Sequence, residues 1–93
     1  MMDVLDILLA EYPGDKAWRR LVDAVVPANA AEPDLGIDDQ ELASVLNAEL
    51  GAQAAPWLEQ NIPALGGQSA AALLRDHPHG RSIVRAVVMR MPR

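Results

Sequence analysis

The sequence predicts an all-α fold, a single compact bundle of about six short helices. Three observations point there. Apolar residues recur at i, i+3, i+4 and i+7 in several stretches, which is the period of a helix burying one face. Nothing alternates with period 2 over a strand length, so a sheet is not expected. Proline and glycine punctuate the chain at short intervals, so no helix can be long.

The first helix is expected over residues 4–10, where Val4, Leu5, Leu8 and Leu9 share a stripe, and it stops at Tyr12-Pro13-Gly14. Asp15 is expected to cap the second helix, whose stripe is Trp18, Leu21, Val22, Val25 and Val26, with Pro27 as its end. Residues 27–36 carry two prolines and a glycine with little periodicity, and read as a loop or hinge. The third helix is expected to start with Asp38 as N-cap and Glu41 at N3, a capping box, with Ile37 stapled to Leu42. Its stripe is Leu42, Val45, Leu46 and Leu50, and Gly51 closes it. Pro56 opens a short fourth helix containing Trp57 and Leu58. Leu65-Gly66-Gly67 is a tight turn, and Ser69 caps a fifth helix through Leu73, Leu74 and Arg75. After His77-Pro78-His79-Gly80 breaks the chain, the last helix runs over residues 81–90 and buries Ile83, Val84, Val87 and Val88.

Ninety-three residues suffice for one small core, and an apolar fraction of 51% suits a folded domain rather than a disordered one. The sequence has no Cys, which removes disulfides and thiolate metal sites; an unstapled small domain fits the cytoplasm. No signal peptide and no apolar run long enough for a membrane span is visible. Charge is asymmetric. Residues 1–62 hold 12 acidic and 3 basic side chains, or −9; residues 63–93 hold Asp76 against five arginines, or +4. The total of −5 disfavours nucleic acid as a partner of the single chain.

No catalytic constellation is evident, so the chain is not read as an enzyme. Asp38-Asp39 and Asp3/Asp6 have simpler explanations as helix-start anions. Ser44, Ser69 and Ser82 lack a nucleophile elbow, and Gly66-Gly67 follows no strand and precedes no Gly-Lys-Ser/Thr. His77 and His79 are two imidazoles without a third ligand, so neither metal nor cofactor is expected. A helix-turn-helix across helices three and four would read DNA with Glu59 and Gln60 and no cation, a poor phosphate neutraliser. Binding another protein remains, and the last helix offers Arg81, Arg85, Met89 and Arg90, with Arg93 after it. Arg and Met are both enriched at protein interfaces.

The stretch from Ala52 to Met91 resembles the C-terminal toxin-binding domain of the Xre/MbcA/ParS antitoxins. The residues that carry the resemblance are Trp57-Leu58, the run from Asn61 through Leu65-Gly66-Gly67, Leu73-Leu74, Gly80, and Ile83-Val84 onward. Where the family has a proline shortly after the glycines, this chain has Ser69-Ala70, which leaves the helix start to the Ser69 cap. Residues 1–50 are not matched to the family and residues 51–93 are, the two together forming one folded unit.

The resemblance implies a cognate toxin of the RES-domain type, an NAD-consuming relative of ADP-ribosyltransferases, whose active-site entrance the helical domain covers. Either an antitoxin or an immunity protein against a delivered effector fits. On this reading Leu65, Gly66, Gly67, Arg81, Arg85, Met89, Arg90 and Arg93 are the candidate contact residues. Arg85→Glu with Arg90→Glu is expected to weaken binding without unfolding the domain. The alternatives are a DNA-binding autoregulator whose homodimer pools Arg81, Arg85 and Arg90 into a basic stripe, and a structural helical module.

Overall fold

A computed structural model describes residues 4–27 and 34–91, and most of these residues are helical. Six α-helices follow in chain order: α1 (Val4–Glu11), α2 (Asp15–Val25), α3 (Gln40–Leu50), α4 (Ala54–Glu59), α5 (Ala70–Asp76) and α6 (Gly80–Met89). Two single 3-10 turns, Gly51–Gln53 and Pro63–Leu65, and two two-residue strands, β1 (Asn61–Ile62) and β2 (Gln68–Ser69), complete the described residues. The strands correct the expectation of no sheet. They pair antiparallel, Asn61 with Ser69 and Ile62 with Gln68. Strands of two residues are too short to display an alternating pattern, so the pairing leaves no mark in the sequence.

The pairing closes around the glycine turn. Gly66 N–H donates to Pro63 C=O and Gly67 N–H to Ile62 C=O, both at 3.0 Å. Gly66 and Gly67 have φ of 70° and 81°, a region that L side chains enter only at a cost of about 1–2 kcal/mol per residue. The turn hands the chain to Ser69, whose Oγ accepts from Ala72 N–H at 3.1 Å and so caps α5 as the sequence predicts.

Four helix starts differ from expectation: α4 begins at Ala54, two residues before Pro56, α6 begins at Gly80 rather than Arg81, and the starts of α2 and α3 each move by one residue. Gly14 is the cap position of α2, and Asp15, its first residue, accepts a hydrogen bond from Tyr12 Oη at 2.9 Å. Asp39, not Asp38, caps α3 and accepts from Leu42 N–H at 3.2 Å. With the cap moved, Glu41 sits at N2 rather than N3, so the reciprocal bond of a capping box does not form. The reason is tertiary: the second carboxylate oxygen of Asp39 is held by α6, and no local rule reports that.

The core is aliphatic with one fully buried indole, Trp18, and Trp57 packs against it partly buried. Leu8, Leu42, Leu46, Leu58, Leu65 and Leu73 are among its fully buried side chains. Helix α6 is the axis on which the rest packs, touching α5, α1 and α2. Every residue from Ile83 to Val88 is buried, so more than one face of α6 is covered, beyond the stripe its spacing predicts. Gly80 makes the α5–α6 corner possible. A Cβ there would stand 2.0 Å from the backbone oxygen of Leu73, which no side chain tolerates.

The two halves of the sequence are interleaved. Helix α1 packs on α6 and on the Pro63–Leu65 turn, and α2 reaches α6, so the unmatched N-terminal part supplies walls of the same core. Among the described residues no helix is long and apolar enough to cross a membrane.

Candidate functional site

Arg85 is the most constrained charged side chain of the described residues. It is 7% exposed, and its Nε and Nη2 donate to Oδ2 and Oδ1 of Asp39 at 2.9 and 3.0 Å, a bidentate fork. Its guanidinium carbon lies 4.7 Å from the centre of a Trp18 ring, the geometry of a cation–π contact. Glu41 and Asp15 approach at 3.5 and 3.9 Å. Burial alone would lower the Arg85 pKa, but bonds with Asp39 and Tyr12 and the Asp39 charge outweigh it, and the pKa is raised. The Tyr12 phenol is also pushed up. Burial is the main cause, assisted by the bond to Asp15 and opposed by Arg85.

This corrects the expectation for Arg85. It cannot serve as a finger on the surface, nor can a dimer pool it with Arg81 and Arg90. A helix with apolar neighbours and an arginine in the i+4 register usually points that arginine to water; here the partner lies 46 residues away. Trp18, Tyr12 and Asp39, which hold Arg85, are the residues that sequence reasoning missed as a group. Trp18 Nε1 is buried and finds no acceptor among the described residues.

Leu65 is likewise fully buried, so it shapes the glycine turn from inside rather than meeting a partner. Gly66 and Gly67 are exposed, with Val4 of α1 beside Gly66. Met89 is half-buried. Arg81 and Arg90 are exposed but do not share a face: nine residues at 3.6 per turn put them roughly 180° apart around α6. Arg90 donates to Glu11 of α1 at 3.0 Å, at the far end of the helix from Arg81. Arg93 lies outside the described residues, as do Asp3 and most of the loop expected over 27–36.

A groove of about 630 Å³ runs between the segment that leads into α3 and the α5–α6 corner. Leu35, Ile37, Ala71, Leu74 and Pro78 give it apolar walls. Arg75, His79 and Arg81 line it together with Asp38, Asp39 and, at the end of α4, Glu59. Arg81 Nε sits 3.6 Å from Asp39 Oδ2, beyond hydrogen-bond reach, and its side chain is 63% exposed. Asp39 thus stands between two arginines and satisfies only Arg85.

No family model, curated protein or solved structure matches this chain. The groove therefore has to be judged on its own chemistry. Of the two histidines only His79 lines it; the ring centres of His77 and His79 are 6.2 Å apart, and His77 Nδ1 accepts from the His79 backbone N–H at 3.0 Å. What the arrangement offers is a lining more polar than apolar, in which a small apolar patch stands beside arginine and histidine donors and three carboxylates.

Proposed function

We propose that this chain is a protein inhibitor, an antitoxin or immunity protein, that binds a RES-domain NAD-consuming enzyme and covers the entrance to its active site. One observation carries the reading: the residues that resemble the antitoxin domain form one continuous substructure, each with a definite task in it. Leu58, Leu65 and Leu73 are core, Gly66 and Gly67 make the left-handed turn, Gly80 lets α6 touch α5, and Ile83-Val84 anchor the axis. The pattern thus falls on core positions and turn positions of one substructure, which supports the reading.

Occlusion requires area and position, not chemistry from the inhibitor. A stable interface takes about 800 Å² from each partner, and this chain exposes 5733 Å² in all. One face of so small a domain suffices to close a cleft. Such an inhibitor acts in the compartment of its target, here the cytoplasm.

The test is co-expression with the product of the neighbouring reading frame, which this proposal expects to be a RES-domain enzyme. Growth should recover, the two proteins should co-purify, and NAD consumption by the purified enzyme should fall as this chain is added. Unabated NAD consumption, with the two proteins eluting apart, would end the proposal.

A further inference from the structure

We infer that the groove between the α3 lead-in and the α5–α6 corner is a docking site for a short peptide segment of the partner protein, one that places a carboxylate beside an apolar side chain. This inference rests on the protein-binding reading above but names its contact surface, which the sequence placed instead along the arginines of α6.

The size is right. At about 630 Å³ the groove falls within the range of natural binding clefts. Its lining is more polar than apolar, but Ile37, Ala71 and Leu74 give a small apolar patch for one aliphatic or aromatic anchor. The charges then select what accompanies the anchor. Asp39 already accepts from Arg85 Nε and Nη2 and from Leu42 N–H, so it steers Arg81 without satisfying it. Arg81 keeps its fork of donors for another acid. Among the described residues Arg75 pairs with its sequence neighbour Asp76, at 3.4 Å and with both side chains about 70% exposed, an arrangement of little strength that an incoming carboxylate can replace.

Asp38 and Glu59 set the limit. Both are exposed groove-lining carboxylates, and they repel a ligand carrying many negative charges. A single acid next to an apolar group passes this filter. A nucleic-acid backbone does not.

Panning a displayed library of random dodecapeptides on the purified full chain tests the inference without the RES-domain enzyme. Enriched peptides should share Asp or Glu adjacent to a large apolar residue. Their affinity, read by fluorescence anisotropy, should drop at least about ten-fold in Arg75→Glu/Arg81→Glu. Arg81→Gln, which avoids placing a new acid against Asp39, should show a smaller loss in the same direction with an unchanged circular dichroism spectrum. Arg90→Glu, at the other end of α6, should bind as wild type does. No enrichment, or enriched peptides indifferent to Arg75 and Arg81, overturns the inference. So does a labelled DNA duplex that binds in a manner these variants abolish. Peptide binding together with failure to bind the RES-domain enzyme removes the proposed function and leaves the groove assignment standing. Enzyme binding that ignores the groove variants does the reverse.

Discussion

Replacing Asp39 with alanine should destabilise the protein by about 3–5 kcal/mol, because it strands the Arg85 guanidinium inside the core. The magnitude follows from two losses. The cap of α3 goes with the carboxylate, worth about 1 kcal/mol. The larger loss is the two bonds of 2.9 and 3.0 Å to a side chain only 7% exposed, for which Glu41 at 3.5 Å and Asp15 at 3.9 Å are partial substitutes. A domain of 93 residues has a total stability of about 5–14 kcal/mol, so the variant should be close to unfolding. Its melting temperature should fall by at least about 12 °C. Arg85→Met alone should cost about 2–3 kcal/mol, since Asp39 keeps its bond to Leu42 N–H and has Arg81 nearby. The decisive variant is the double, Asp39→Ser/Arg85→Met. Serine retains the cap, and methionine offers Trp18 a sulfur–aromatic contact in place of the cation, so the double should lie within about 1.5 kcal/mol of wild type. With Asp39→Ser as the matching single variant, urea denaturation followed by tryptophan fluorescence and far-ultraviolet circular dichroism gives all four corners of the cycle. Additive single effects, or an Asp39→Ala variant with wild-type stability, would refute the assignment of this pair as a buried, mutually dependent unit.

Gly80→Ala should cost more than about 2 kcal/mol because its methyl meets the Leu73 backbone, whereas Gly67→Ala, with open space but φ of 81°, should cost about 1–2 kcal/mol; thermal melts that reverse this order would contradict the α5–α6 contact. Tyr12 is the sole tyrosine, so its ultraviolet titration is unambiguous and should have a midpoint above the ordinary 10.0. Since the folded state holds that proton more tightly than the unfolded chain does, the associated stability is complete below pH 10 and is lost as pH rises through the folded value. Denaturation midpoints measured across that range should decline, and Arg85→Met should move the phenol higher still, by removing the group that lowers it. Arg90→Glu should change stability by no more than about 1 kcal/mol, as its pairing with Glu11 is exposed; a larger loss in a melt would give that pair an unexpected structural role.

The helices were legible because their causes are local. Trp18, Leu21, Val22 and Val25 recur at the period that makes one face of α2, and Gly51 and Ser69 carry out at their helix ends what their side chains, or the lack of one, permit. Errors fell where the cause is distant. Asp38 and Asp39 are equal candidates for a cap until Arg85, far along the chain, takes one of them. Arg85 itself looked like its neighbours Arg81 and Arg90, because a charge on a short helix is ordinarily solvated and no periodicity tells a buried arginine from an exposed one. The groove was invisible for a similar reason. Its lining comes from the α3 lead-in, α4, α5 and α6, segments that only the tertiary arrangement brings side by side.

The bond between Arg85 and Asp39 also bears on how such a chain can be rebuilt. The half that carries the antitoxin-like pattern is not a transferable cassette, since its central helix brings a cation that needs an acid supplied from upstream. Any different N-terminal partner spliced onto residues 51–93 must present a carboxylate, and a flat aromatic face, at the same point, or the graft must give up the arginine. The junction works as a compatibility key between two stretches of sequence, and a designer can test candidate fusions against it before making any of them.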